Sequence, residues 1–383
     1  MNQNRCSYAT RPRRHPTSHR TALRAHAGVG TGVSWDRFPG SVPGAKVTPQ
    51  KERERVRVTM AEVASAAGVS SATVSYVLSG KRAVAPATRA AVESAIAELG
   101  FTVNATARSL RTGRSSLAAL IVPDIANPFY AQLASSLQEQ LRASGLHVVV
   151  CNTGADREEE RALLAEAVQQ RFAGVVITPF RLHPEDLDTL AEAGIPAVVS
   201  ADVSFGAVDL VKPDARSATL QALQRVTANQ RRRIAVIAGP RDATGGDPRL
   251  AMLRRLAPQF GISLPRELVV RGEHTRDSGA VGFTELMSRR ERPDAVFCAN
   301  DMIAVGAMDA AHDLGVDIPG EVALVGHDDA AFASLVRPRL TTIRYPAHDV
   351  GVAAAQLLKE RLDGRTAPRT VRVRALFVAR GSA

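Results

Sequence analysis

The sequence predicts two structural classes in one chain: a small all-α helix-turn-helix unit, then a two-lobed α/β domain. Three observations carry this. Residues 58–112 hold three short amphipathic helical patterns bounded by cap and turn residues. From Leu117 onward, apolar runs of strand length alternate with helical patterns, and the alternation occurs twice. Charge is unevenly placed: of the net +11, residues 1–57 carry +9 and residues 58–114 carry +3, which leaves −1 over 115–383. The basic end of such a chain suits nucleic acid.

Residues 1–57 are rich in Arg, Pro, Gly, Ser and Thr and lack apolar periodicity, so a disordered basic extension is expected. GVGTG at 28–32 follows no strand and opens no helix, which removes it as a dinucleotide loop. Thr59 and Glu62 then form a capping box for a first helix. Val63, Ala64 and Ala67 line one of its faces. Gly68 permits a tight turn. Ser70 caps a second helix, Ser71 to Leu78, with Val74, Val77 and Leu78 inward. Pro86 opens a third, on which Val92, Ile96 and Leu99 close the core. From spacing alone, this is equally an ordinary small helical bundle, and the +3 charge is a modest phosphate-binding footprint.

The large domain reads as parallel sheets covered by helices. Its first strands are LAALIV (117–122), HVVVC (147–151), GVVIT (174–178) and PAVVS (196–200), with helices near 128–143, 156–171 and 184–193. The second set is RIAVIAG (233–239), ELVVRG (267–272), DAVFCAN (294–300) and VALVGHD (322–328), with helices near 247–259, 277–290, 301–314 and 346–363. Two such sets imply two lobes. Ligands in such sheets bind at the carboxyl ends of the strands, here between the lobes.

The wording of these segments resembles the lactose-repressor (LacI/GalR) family of bacterial transcription factors. In the N-terminal unit the matching pieces are TMAEVASAAGVSSATVSYVLSG, VAPATRAAVESAIAELGF and NATARSLRTGRSS. In the large domain they are IVPDIANPFYAQL, IAGP with the later Arg249-Leu250 pair, VFCANDMIAVGAM and VGHDDAAFASLVRPRLTTIR. The resemblance covers about 58–383. It implies a headpiece over 58–103, a hinge helix and linker over 104–114, and an effector-binding and dimerisation domain over 115–383. That domain has the fold of periplasmic sugar-binding proteins, with one lobe about 115–228 and 341–364 and the other about 229–340 and 365–383. The family starts near Val58 or Met60, so the 57-residue extension is expected to reflect a start codon assigned too far upstream.

The resemblance also assigns roles. Ser71, Ala72 and Tyr76 sit where the family reads bases, and Thr73 and Ser75 suit phosphate contacts. The helix caps Thr59 and Ser70 join this DNA-binding set, as do Asn104, Ala107 and Arg108 of the hinge. Asn104 to Arg111 is too short for a stable isolated helix. By the family's pattern it orders on DNA, paired across a homodimer, and Leu110 wedges into the minor groove. In the cleft, Asp301 is expected to bond effector hydroxyls, with Asn300 beside it, and Arg249 to clamp effector oxygens. Phe129 and Tyr130 are expected to line the cleft, and Asp202 to touch the effector; Asp214 is a further ligand or hinge position. His327 stands where the family commonly has Phe, in Gly326-His327-Asp328-Asp329, and is a candidate contact. Asp214-Ala215-Arg216-Ser217-Ala218 and Asn229-Gln230 also depart from the family's pattern.

The partners implied are operator DNA, a sugar-like small-molecule effector and a second copy of the chain. The bacterial cytoplasm, at the nucleoid, is the expected place. No run of eighteen apolar residues predicts a membrane span. Cys6, Cys151 and Cys298 lack metal spacing, and the latter two read as buried thiols. No cofactor, metal or catalytic set is expected; His327-Asp328-Asp329 comes without a nucleophile motif. Two alternatives stay open: a DNA-binding regulator without effector control, and a sugar-binding module without DNA function.

Overall fold

In the first unit, α1 (Met60–Ala66) begins at the expected capping box. Thr59 N–H donates to Glu62 Oε2 at 2.6 Å, and Glu62 N–H donates to Thr59 Oγ1 at 3.3 Å. Gly68, at φ +66°, makes the turn, and Ser70 Oγ accepts from Thr73 N–H at the start of α2 (Ser71–Ser79). Pro86 opens α3 (Pro86–Leu99). The structure is a computed structural model and describes residues 58–79, 82–101, 115–203, 205–241, 243–244 and 246–383. The extension 1–57 and the expected hinge segment 104–114 lie outside the described residues.

The core of this unit is small. Val63, Ala64, Val74, Val77, Val92 and Ala95 are its buried members. Leu78 and Leu99, expected inside, are 37% and 38% exposed. Both stand at helix ends, Leu78 one residue before the end of α2 and Leu99 the last residue of α3, where few side chains remain to cover them.

The unit from Ile96 onward holds two six-stranded sheets. The strands of the first are β1 (Leu117–Val122), β2 (His147–Asn152), β3 (Gly174–Ile177), β4 (Ala197–Ser200), β5 (Asp209–Asp214) and β11 (Thr370–Arg374), in the order β11-β5-β4-β3-β1-β2. All its pairs are parallel. The second sheet holds β6 (Ile234–Ala238), β7 (Val269–Arg271), β8 (Ala295–Cys298), β9 (Ala323–His327), β10 (Thr341–Arg344) and β12 (Leu376–Val378), in the order β12-β10-β9-β8-β6-β7. Only β10–β12 is antiparallel. Helices cover both faces, so central strands such as β3, β4, β6 and β8 are buried throughout and read as continuous apolar runs. β2 is an edge strand, which leaves Cys151 only half-buried against expectation; Cys298 is buried.

Four strands escape the sequence pattern: β5, β10, β11 and β12. So does the helix Arg216–Ala228. These elements correct the expected lobes. Residues 341–344 pair with β9 and 370–374 pair with β5, so β10 belongs to the second sheet and β11 to the first. The helix Ala347–Leu362 does join the first lobe, packing its Val350, Ala354 and Leu358 into the core of Leu133 and Leu137. The chain therefore crosses between lobes three times: after β5, after β10, and between β11 and β12. Ala375, within the third crossing, donates its N–H to the carbonyl of Asp214 at the first, at 2.9 Å. Among the described residues, no helix is long and apolar enough to cross a membrane.

Candidate functional site

Two surfaces carry chemistry. The first is the outward face of α2. With Val74 and Val77 buried, Ser71, Ala72 and Tyr76 are exposed, and Thr73 and Ser75 are half-buried. The Arg82 guanidinium lies over the Tyr76 ring, 5.7 Å from its centroid. A tyrosine held beside a cation on a projecting helix can meet base edges and phosphate together. Thr59 and Ser70 are occupied as caps, and Ser70 Oγ also meets Thr73 Oγ1 at 3.0 Å. Asn104, Ala107, Arg108 and Leu110 lie outside the described residues.

The second surface is a cavity of about 450 Å³ at the carboxyl ends of the strands of both sheets. Six of the seven predicted cleft residues line it: Phe129, Tyr130, Asp202, Arg249, Asn300 and His327. Asn127 caps the helix Pro128–Arg142, accepting from Phe129 N–H at 3.0 Å. That cap fixes the aromatic wall. Phe129 stacks on Tyr345, with centroids 5.4 Å apart and planes at 14°, and meets Tyr130 edge-on at 5.2 Å. Burial raises the Tyr130 hydroxyl well above its ordinary pKa, so it stays a neutral donor. Burial also raises Asp202, opposed by Lys212, Arg372 and Arg255.

Asp328, in the cavity lining, ties the lobes together. Asn127 Nδ2 of the first lobe donates to its Oδ2 at 3.4 Å, and Arg249 Nη2 of the second meets its Oδ1 at 3.3 Å. Burial pushes the Asp328 carboxyl up, while Arg249 and the Asn127 bond oppose the shift. The residue sits at φ +104°, a conformation that costs a side-chain-bearing residue on the order of 1–3 kcal/mol. Asp329 follows at φ +58° and is held between Arg344 and Arg380. Those four partners bond Asp328 and Asp329, which gives the two carboxylates of the His-Asp-Asp run structural employment.

The structure places Asp301 beneath the cavity, outside its lining. Its carboxylate turns inward, accepting from Ala330 N–H at 2.8 Å and from Thr342 Oγ1 at 2.7 Å. Burial, then the charge of Asp328, pushes it up to about 8. The helix Asp301–Asp313 is capped instead by Asn300, whose Oδ1 accepts from Ile303 N–H at 2.9 Å. One residue along a helix start decides which side chain faces the cleft. Asp214 lies at the first crossing, a hinge position, and not in the lining.

Sequence reasoning missed Asp328, Tyr345, His274 and Thr178 as lining residues. Asp328 had a signal in the GHDD run, next to His327. His274 had none: it stands in a polar stretch after a short strand. Its ring meets Phe180 of the first lobe edge-on at 5.5 Å. Burial, then Arg249, holds it down to about 4, and His327 lies well below its ordinary value for the same reasons. Both imidazoles are therefore neutral near pH 7.

Comparisons with known proteins agree with this architecture. Residues 59–104 match the model for bacterial regulatory proteins of the lacI family, and residues 223–383 match the periplasmic binding protein-like domain. The chain is 36% identical to the HTH-type transcriptional regulator CelR of Thermobifida fusca over 325 residues, 82% of this chain and 94% of that protein. A CelR–cellobiose complex aligns with TM-score 0.64 and 33% identity, over 85% of this chain and all of that one. The lac repressor dimer bound to operator and the anti-inducer ONPF aligns with TM-score 0.74 and 26% identity, over 85% and 98%.

Proposed function

This chain belongs to the lacI family of bacterial regulatory proteins, and we propose that it is a repressor of transcription whose operator affinity is set by a carbohydrate in the interlobe cavity. It works as a homodimer. Two copies of α2 enter successive major grooves of a near-palindromic operator, with Ser71, Ala72 and Tyr76 at base edges. Residues 104–114 link headpiece to effector domain as the hinge, and Leu110 opens the central step of the operator. The effector lies against Phe129, Tyr130 and Tyr345, within reach of Arg249, Asn300 and Asp328. It changes lobe closure and thereby the population of DNA-competent dimers.

The observation that carries this reading is the union in one chain of a projecting α2 and a lined cavity spanned by the Asn127–Asp328–Arg249 bridge. The chain acts in the cytoplasm at the nucleoid and catalyses no reaction. Selection of bound sequences from random duplex DNA by residues 58–383 tests it. A near-palindrome with a flexible central step such as CG is expected, and its complex should respond to cellobiose. Enrichment of sequences without two-fold symmetry is the contrary result. Leu110→Ala should weaken specific binding far more than nonspecific binding; equal loss of both removes the wedge.

A further inference from the structure

A carboxylate taken out of water is costly unless hydrogen bonds replace its solvation. Glu160, on the helix Arg157–Gln169, is fully buried and is not in the cavity lining. Burial pushes its carboxyl up, while two backbone amides oppose the shift. Those amides belong to consecutive residues beyond β3. Phe180 N–H donates to Oε1 at 2.6 Å, and Arg181 N–H donates to Oε2 at 2.9 Å. The same helix grips the segment further along. Arg157 Nη2 and Arg161 Nε meet Asp186 at 3.0 and 3.3 Å, and Asp186 also accepts from His183 N–H at 2.8 Å.

The second lobe touches the first at residues 180–182. Thr244, beyond β6, donates its N–H to the Phe180 carbonyl at 2.6 Å and its Oγ1 to the Leu182 carbonyl at 3.0 Å. Arg181 Nη2 pairs with Glu273 at 3.4 Å, and the Phe180 ring meets His274. Residues 180–182 belong to no helix or strand, so no ladder stiffens them. Glu160 does so instead. One side chain holds two successive peptide groups to a helix whose Leu164 and Ala167 share a core with Ile121 of β1 and Ile177 of β3. That helix is 13 residues long, about 20 Å. At its other end, the Arg171 carbonyl accepts from the N–H of Ser115 at 2.9 Å. Ser115 is the first described residue after the segment 104–114.

Resting on the effector reading above, we infer that Glu160 is a positioning residue for the response: it makes residues 180–182 part of the rigid first lobe, so that displacement of the second lobe reaches Ser115 and the hinge. Without it, the contact segment yields and absorbs the displacement. Coupling between distant sites is carried by rigid elements and the hydrogen bonds that join them. Glu160→Gln breaks this joint with little change of shape, because its amide turns a donor toward one of the two N–H groups.

The test uses the full chain with Glu160→Gln, Thr244→Ala and the double variant, and reads affinity for the selected operator with and without saturating cellobiose. In wild type the two operator affinities should differ at least about fivefold, and in Glu160→Gln less than about twofold. Cellobiose affinity of Glu160→Gln, by calorimetry, should stay within about threefold of wild type. A second readout uses no sugar. Thr244→Ala removes one cross-lobe bond and should shift operator affinity about threefold or more in the wild-type background. In the Glu160→Gln background the same substitution should have no effect. A wild-type cellobiose response in Glu160→Gln, even with a lowered melting temperature, makes Glu160 a brace only and overturns the proposal. So do additive effects of the two substitutions. If wild type responds to no sugar in a panel of neutral mono- and disaccharides headed by glucose and cellobiose, the carbohydrate reading fails, and the sugar-free cycle alone decides the role of Glu160.

Discussion

The headpiece and the cleft solve opposite problems. The α2 surface keeps its working groups in solvent and fixes them from behind, with a six-residue apolar core and two side-chain caps. The cleft keeps its working groups out of solvent. Asp328 and His327 are buried, and Asp328 is held by long-range partners and left-handed backbone. A surface that must meet a hydrated polyanion gains little from desolvating its own polar groups. A cavity that discriminates among small molecules gains from it, because each unmatched buried atom penalises the wrong ligand.

The sharpest way to break the contrast is a charge in the headpiece core. Val74→Asp puts a carboxylate where nothing pairs with it. Specific DNA binding by fluorescence anisotropy should fall about 100-fold or more. Cellobiose binding and the main melting transition should persist; loss of both together would show that the two regions fold as one.

A smaller effect is expected at the bridge. Arg249→Met leaves Asp328 buried without its cation, and breaking such a pair costs on the order of 3–5 kcal/mol. Arg249 is partly exposed, so the expected loss lies at or below the lower end of that range, read as a lower melting temperature. The double variant with Asp328→Asn should regain most of the stability without regaining cellobiose binding. Recovery of both would make the bridge a structural brace only.

The contrast also explains what could be read from the sequence. The headpiece is local: Thr59 to Glu62, Gly68, Ser70 and Pro86 each act within a few residues, so they announce themselves in order. Even there, position at a helix end misled at Leu78 and Leu99. The two-lobed fold was legible because fully buried parallel strands are continuous apolar runs. β5, β10, β11 and β12 were not, since DLVKPD, TTIR, TVRVR and LFV are mixed or short and gain their place from neighbours far along the chain. The cleft was half legible. Phe129, Tyr130, Arg249 and Asn300 stand in recognisable runs. Asp301 and Asp328 exchanged roles, because which carboxylate faces the cavity depends on Thr342 and Ala330, some 41 and 29 residues away. Asp301→Asn should therefore lower the melting temperature more than it alters cellobiose affinity; the reverse pattern would return Asp301 to the site.

Base reading offers a milder test. Tyr76→Ala should cost about tenfold on the selected operator and relax the preference at one position of each half-site. A uniform loss on all sequences would assign Tyr76 to phosphate alone.

The smallest effect concerns pH. His274 and His327 resist protonation in the folded chain but accept a proton near pH 6.5 when unfolded. Their contribution is complete above about pH 6.5 and is lost as pH falls through the depressed folded values. Melting temperatures should drop between pH 6.5 and 4, and His274→Phe should make that decline shallower. An unchanged slope would mean that the imidazole is solvated.

The bond from Ala375 to Asp214 draws two of the three interlobe crossings into a single cord. Three backbone crossings, two of them tied to each other, would favour rotation of one lobe against the other about the tied pair. A door on such a hinge can stand at different angles but cannot slide or twist in its frame. Ligands of different shape would then differ in the angle at which they set it, and the headpieces would receive one scalar signal, however varied the chemistry in the cavity.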